Sequence, residues 1–274
     1  MIDLYRIEEK EELAQDIDMF RVKAPLVAKK AKAGQFVVVR IYEEGERIPL
    51  TIADFDRDNG LITLVSMKVG KTTAMLSRLG KGDLILDVVG PLGNPSEIDN
   101  FGRVVLVGGG VGIAPIMPIA RALKEKGNHV ISVIGSKSKD YLIFEKEMEE
   151  ISHELYVCTD DGSKGFKGFV SEFLDSYLKK NITVKQGKKT NISRVIAIGP
   201  SPMMAAVSKV TEPLGVVGGL LDDGTGLRHP VGHPPFHVVA GAVHDGHRSR
   251  TTRRERCKGT HVFVRGVRKL PCAL

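Results

Sequence analysis

The 274 residues are enough for two domains with a core each, and they exclude a peptide hormone or a disulfide-stapled miniprotein. With 40 basic residues against 33 acidic ones the chain carries +7, which taken whole points to an anionic partner such as nucleic acid or a membrane surface. Located along the chain, the excess falls at one end: 10 basic and 4 acidic residues lie beyond Val216, against 30 and 29 before it. The first 216 residues are therefore nearly neutral, and the net charge says little about their partners. Three cysteines, Cys158, Cys257 and Cys272, are too few and too scattered for a disulfide framework and fit a reducing compartment. Met1 to Arg6 runs into Glu8, Glu9, Glu11 and Glu12, with no basic segment followed by an apolar one, so the expected location is the cytoplasm. The longest uncharged stretch, Val104 to Ala120, is broken by three consecutive glycines and two prolines, so it predicts strand, turn and helix, and no membrane span.

From Met1 to about Asn100 the β-branched runs Phe36–Ile41, Leu61–Val65 and Leu84–Val89 predict short strands. The turn compositions Glu43-Glu44-Gly45-Glu46, Asp56 to Gly60 and Gly80-Lys81-Gly82-Asp83 separate them. Strands at this spacing predict an antiparallel barrel or sandwich, interrupted by one helix over Thr72–Leu79. From Arg103 the rhythm becomes strand, helix, strand, helix. Val104–Val107, Val130–Ile134, Leu155–Val157 and Arg194–Ile198 read as strands. Helices are expected from Ile116 to a stop at Gly127, over Asp140–Ile151, over Phe169–Leu178 and over Pro202–Thr211. Repeated βα units imply a doubly wound parallel sheet covered on both faces, with its ligand at the carboxyl ends of the strands. The fold class expected is thus an antiparallel β-barrel over residues 1–100 followed by an α/β nucleotide-binding domain over 101–215.

Gly108-Gly109-Gly110-Val111-Gly112-Ile113-Ala114-Pro115 follows a strand and opens a helix, the context in which backbone N–H groups and the helix dipole receive a pyrophosphate. The bland alternative is a tight turn that needs glycine for close packing. Pro115 stands where the dinucleotide fingerprint has its third glycine, and Gly135-Ser136-Lys137-Ser138-Lys139, with no acidic residue, ends the second strand. Cys158-Thr159-Asp160-Asp161-Gly162-Ser163 and Gly199-Pro200-Ser201-Pro202-Met203-Met204 end the third and fourth strands, on the same sheet edge. In the first half, Arg47-Ile48-Pro49-Leu50-Thr51 joins a fixed cation suited to a diphosphate to a rigid extended segment and a hydroxyl. Gly70-Lys71-Thr72-Thr73 is a second phosphate candidate; it is not a Walker A motif, because Val65 occupies the place of the leading glycine.

Gly34-Gln35-Phe36, Arg47 to Thr51, Gly70 to Thr73, Gly90-Pro91-Leu92-Gly93, Gly108 to Pro115, Thr159 to Ser163 and Gly199 to Met204 occur in an order that resembles the ferredoxin-NADP reductase superfamily. Within it the chain is most similar to the small flavoprotein subunit of NADH-dependent ferredoxin-NADP oxidoreductase and to the dihydroorotate dehydrogenase electron-transfer subunit. The resemblance implies a flavoprotein that moves hydride between NAD(P)H and FAD and passes electrons to a ferredoxin or a larger oxidoreductase subunit. By carry-over, Arg47, Gly70, Thr72 and Thr73 would hold the FAD diphosphate, with Pro49, Leu50 and Thr51 against the ring. Gly109, Gly110, Gly112, Ala114 and Pro115 would face the dinucleotide, with Asp160, Asp161, Gly199, Pro200 and Met203 completing that side. NADH and NADPH are both open: Lys137 and Lys139 suit a 2′-phosphate or a solvated loop equally. No residue is assigned as a general acid or base, since hydride transfer needs none.

The last segment, residues 216–274, departs from this pattern. It holds no Ile, six of the eight His and eight Arg. The resemblance implies four clustered cysteines for a 2Fe-2S cluster just after an Asp-Gly-Thr-Gly stretch. Asp223-Gly224-Thr225-Gly226 is present, but Leu227-Arg228-His229-Pro230 follows and only Cys257 and Cys272 remain, so the cluster lacks its ligands. His229, His233 and His237 have helical spacing, which Pro230, Pro234 and Pro235 defeat, and no metal site is expected. The basic run Arg248, Arg250, Arg253, Arg254 and Arg256 lacks interleaved aromatics, so it predicts no specific nucleic-acid binding. We read the tail as a replaced C-terminus; a cysteine-rich continuation in another frame of the coding DNA is its check.

Overall fold

The computed structural model describes residues 5–181, 192–214 and 217–220. Its first half is a six-stranded antiparallel sheet in the order β1-β2-β5-β4-β3-β6. The strands are β1 (Ile7–Ala14), β2 (Ile17–Lys23), β3 (Phe36–Arg40), β4 (Ile48–Asp56), β5 (Leu61–Met67) and β6 (Asp87–Leu92). The sheet curls until its ends meet: Ile85 N–H donates to Tyr5 O at 3.0 Å and Ile7 N–H to Asp83 O at 2.9 Å, which closes the expected barrel. Its interior is filled by Phe20, Val37, Val39, Ile52, Ile62 and Leu64, alternate residues that the pleat turns inward. Two helices attend it. One is α2 (Lys71–Leu76), shorter than the sequence predicts; the other is α1 (Pro25–Lys30), which it does not predict. The predicted strand Leu84–Val89 also shifts, beginning at Asp87, because Leu84 to Leu86 turn aside to bond the first strand.

The second half is an all-parallel sheet in the order β10-β9-β8-β7-β11-β12. Its strands are β7 (Arg103–Gly109), β8 (His129–Ser136), β9 (Glu154–Thr159), the two-residue β10 (Phe166–Lys167), β11 (Arg194–Ile198) and β12 (Val217–Leu220). The helices α3 (Ile113–Glu125) and α4 (Glu145–Ile151) cover one face, and α5 (Val170–Asn181) and α6 (Ser201–Thr211) the other. Successive residues of β7 divide between the two: Val104 and Leu106 pack under α3, Val105 and Val107 under α5 and α6. One expectation is corrected. Asp140–Ile151 is not a single helix, because Ile143 and Phe144 turn into the core and Phe144 takes φ 54°, so α4 starts only at Glu145. The halves share one core, in which Ala14, Ile17, Ala53 and Val65 of the barrel join Ala114, Ile116 and Met117 of α3.

Candidate cofactor cleft

Strand order decides where the parallel sheet can bind. From β7 the chain crosses to β8 and β9 on one side and later to β11 and β12 on the other, so a crevice opens outside the carboxyl ends of β7 and β11. The glycine-rich turn and Gly199-Pro200 both stand there, and Asp160 stands three strand spacings from β11, about 14 Å along the same edge.

The glycines of that turn have different tasks. Gly110 has φ +54°, and a side chain built on it would meet nothing within 4 Å, so its backbone faces open space. Gly112 is buried, and a Cβ there would lie 2.3 Å from Ile198 O, so it exists to let the turn close on β11. Met203 of α6 wedges against Gly109 and Gly199, which leaves its sulfur under the turn. Ala114 and Pro115 are buried in the shared core, so their side chains face no ligand and they contribute only the backbone of the helix start. Close packing at Gly112 and an open side at Gly110 thus occur in one motif.

The loop after β9 is fastened to the loop after β8. Asp160 N–H donates to Ser136 O at 3.1 Å, and Lys139 N–H to Ser163 Oγ at 2.8 Å. Asp161 accepts the Ser163 hydrogen bonds and stays below the usual carboxylate range. Asp160 is pushed up, first by burial, then by the charges of Asp161 and Glu172, with Lys137 opposing. Asp160 therefore sits in a field set by Asp161, Glu172 and Lys137, and the Lys167 side chain packs against Gly162 of the same loop.

On the barrel side, β5 pairs with β4 only from Ile52 onward, so Ile48 to Thr51 have β3 on one flank and a half-exposed other flank. Pro49, which has no N–H to donate, is tolerated in a strand for this reason. Arg47 is exposed and makes no ion pair or side-chain hydrogen bond among the described residues. Gly70 caps α2, and a side chain on it would also meet nothing within 4 Å. The hydroxyls nearby are already engaged: Thr72 Oγ1 donates to Glu46 Oε2 at 2.7 Å, and Thr73 Oγ1 accepts from Gly70 N–H at 3.0 Å. They hold the loop's shape together with the Gly70 backbone, whose carbonyl accepts from Ala74 N–H at 2.9 Å, leaving the exposed Arg47 and the first turn of α2 to meet a ligand.

Sequence reading missed Asp54, Arg121 and the ties around them. Arg121 Nη1 on α3 meets Asp54 Oδ1 on β4 at 2.6 Å, and Tyr141 OH donates to Gln15 Oε1 at 3.0 Å. Neither pair has a sequence signal, since each is made by strands and helices more than 60 residues apart.

The donor set does not fit a 2Fe-2S cluster. Cys158 is buried in β9, and burial, with a smaller contribution from Asp160, pushes its thiol up to about 12, far from the thiolate a metal needs. Cys257, Cys272, the Asp223 to Gly226 stretch and the His and Arg runs lie outside the described residues. Three cysteines in the whole chain cannot supply four ligands. Among the described residues no group of three or more His, Cys, Asp or Glu is arranged to hold a metal ion, and no helix is long and apolar enough to cross a membrane.

Residues 106–209 match the oxidoreductase NAD-binding domain family. The chain is 48% identical over 229 residues to a dihydroorotate dehydrogenase B (NAD(+)) electron transfer subunit homolog of Thermotoga maritima, covering 82% of this chain and 78% of that protein. It is 32% identical over 207 residues to the dihydroorotate dehydrogenase B (NAD(+)) electron transfer subunit of Fusobacterium nucleatum, covering 73% and 76%. A solved structure of the NADH-dependent reduced ferredoxin-NADP oxidoreductase superposes with TM-score 0.71 at 46% identity, over 82% of this chain and 79% of that one. Phthalate dioxygenase reductase, at 19% identity and TM-score 0.62, shares the fold. With an antiparallel barrel, a parallel sheet open at its switch point and these relatives, the chain belongs to the ferredoxin-NADP reductase superfamily of FAD-dependent NAD(P)H oxidoreductases, beside the electron transfer subunits of dihydroorotate dehydrogenase B.

Proposed function

We propose that this chain is the electron-transfer subunit of a larger oxidoreductase, taking hydride from NADH and passing electrons to a partner subunit, with ferredoxin as the soluble carrier at the far end. The carrying observation is the open backbone at Gly110 on the parallel sheet, joined through a shared core to the half-open first residues of β4. Bound NADH supplies a hydride and bound FAD accepts it. The protein's residues bind, orient and exclude water. Arg47, with the backbone at Gly70, Thr72 and Thr73, holds the FAD diphosphate; Pro49, Leu50 and Thr51 offer the unpaired flank of β4 to the ring. Gly109, Gly110, Gly112, Ala114 and Pro115 present the turn and helix start to the dinucleotide diphosphate. Gly199, Pro200 and Met203 wall the nicotinamide end. Residues 1–100 form the FAD domain, 101–215 the NAD domain and 216–274 the atypical tail, in a cytoplasmic protein.

Asp160, Asp161 and Glu172 favour NADH. A 2′-phosphate would bring about two more negative charges toward Asp160, whose charged form burial, Asp161 and Glu172 already disfavour, whereas a ribose diol can donate to it. The test is anaerobic titration of FAD-loaded protein. Bleaching of the flavin band by NADH at concentrations at least tenfold below those needed with NADPH is expected. A colourless protein that takes up no added FAD overturns the enzyme reading, and equal titration by both nucleotides overturns the choice of NADH. A second reading, a subunit without an electron exit, is favoured by the missing cluster ligands; flavin that bleaches normally yet reduces neither ferredoxin nor partner would establish it.

A further inference from the structure

We infer that the Arg121–Asp54 ion pair is a positioning device that sets how closely the NAD-binding edge approaches the flavin edge. The inference rests on the function proposed above. β4 leaves the flavin-facing segment at Thr51 and reaches Asp54 about 10 Å later; α3 leaves the glycine-rich turn at Ile113 and reaches Arg121 after about 12 Å. Two elements that start at the two cofactor edges are thus joined at matching distances from them, by a charged contact of 2.6 Å.

A defect in the barrel makes this contact possible. In a regular strand Ile52 and Asp54 would share one face, and Ile52 faces the barrel interior. The pairing Ile52↔Leu64 followed by Asp54↔Thr63 places two residues of β4 against one of β5, a β-bulge. Ala53 and Asp54 consequently both turn toward α3, and Phe55 returns to the barrel core. The bulge re-aims one carboxylate at one guanidinium. Asp54 Oδ1 also accepts the Phe55 N–H at 2.9 Å, which keeps it in that orientation.

Stability does not explain the arrangement, because a half-exposed ion pair contributes little to it. Position does. Nearer the cofactor edges, Ala53, Ala114 and Met117 meet through apolar side chains, a contact that carries no directional preference of its own. The pair itself stands in the wall of a cleft of about 210 Å³ between the halves, with Arg21, Asp56, Phe144 and Glu147 lining it further out. Among the described residues the ion pair is the charged contact from α3 to the barrel, and it is made where the apolar packing gives way to the cleft wall. Hydride transfer is sensitive to misplacement on the scale of 1 Å, so a directional tie there acts on rate more than on affinity.

The experiment compares wild-type FAD-loaded protein with Asp54→Asn, Arg121→Met and the reciprocal swap Asp54→Arg/Arg121→Asp. Stopped-flow mixing with saturating NADH reads the limiting rate of flavin reduction and the long-wavelength nicotinamide–flavin charge-transfer absorbance; amide exchange of residues 53–56 and 117–121 is followed in the FAD-free protein. Both single variants are expected to bind FAD and NADH within about twofold of wild type, to lose about tenfold in limiting rate, to weaken the charge-transfer band and to exchange faster. The swap is expected to recover the rate to within about threefold. Unchanged rate and band in the single variants overturn the proposal. So does loss of FAD binding in both singles with no recovery in the swap, which would assign the pair to folding alone. Wild-type flavin that NADH does not reduce would instead defeat the functional reading itself, and the proposal with it.

Discussion

The two edges of the parallel sheet differ in what their polar groups face. At the amino edge, Glu154 takes every donor within reach: Arg103 Nη2 at 3.0 Å and His129 Nε2 at 2.8 Å on one oxygen, Tyr156 OH and Tyr177 OH at 2.9 Å each on the other. His153 stacks on His129 and accepts from Val130 N–H, so Glu154 and the two imidazoles are engaged within the fold, with Arg103 Nε the one buried polar atom of the cluster left without a partner. At the carboxyl edge Gly110 presents bare backbone to open space and Asp160 stands among like charges. A group whose hydrogen bonds are all made within the fold serves the fold; a group left open or electrostatically frustrated is available to a ligand.

Substitutions at each edge can break that contrast. The largest effect is expected from Gly112→Ala, where a Cβ would lie 2.3 Å from Ile198 O; the neighbour is backbone and cannot yield, so about 3 kcal/mol of stability should be lost in chemical denaturation. Glu154→Ala should cost about 2 kcal/mol, discounted for the 29% exposure of its side chain, while leaving NADH affinity unchanged; a loss of nucleotide binding there would erase the distinction between the edges. Gly110→Ala should cost only about 1 kcal/mol, from its positive φ, but should weaken NADH binding in calorimetric titration, since the new methyl enters the cradle.

The smallest effect is a pH profile. Burial alone would raise Glu154, but the hydrogen bonds from His129, Tyr156 and Tyr177 and the charge of Arg103 hold it below its unfolded value of 4.5. That contribution is present above pH 4.5 and lost as pH falls through the folded value. His153 is lowered from 6.5, chiefly by burial and then by the charges of His129 and Lys124, so it also removes stability as pH falls below 6.5. Tyr177 is pushed up from 10.0 to about 12, first by burial and then by Glu154, so its contribution holds below pH 10 and fades toward 12. The Cys158 thiol, pushed up by burial from 9.0 to about 12, begins to remove stability above pH 9, so thermal melts should show a plateau between about pH 7 and 9, and Glu154→Gln should flatten the loss below pH 4.5 while sparing the His153 step.

Much of this was legible in the residues. Val104 to Val107 could only be a fully buried strand, and Ile116, Ile119, Ala120 and Leu123 could only be the inner face of a helix, because their periods have no other burial. Gly127, at φ +85°, ends α3 where expected. The hairpin of β1 and β2 was missed because Glu8, Glu9, Glu11 and Glu12 fall on both faces of β1, which hides the alternation. The break before α4 was missed because Phe144 adopts a left-handed backbone that aromatic residues rarely take. For the site, the motifs singled out candidate turns, but not that Thr72 and Thr73 are engaged within the loop or that Ala114 and Pro115 are buried.

By itself, then, the sequence determined the fold class, the order of the glycine-rich turns and the absence of four cysteines for a cluster, all of which depend on residue type and local period. Tertiary structure alone decided which glycine is open and which is a packing necessity, which charges act on Asp160, and that a bulge at Ala53 turns Asp54 onto Arg121. These depend on what lies opposite a residue across the fold, and no period along the chain encodes a neighbour more than 60 positions away.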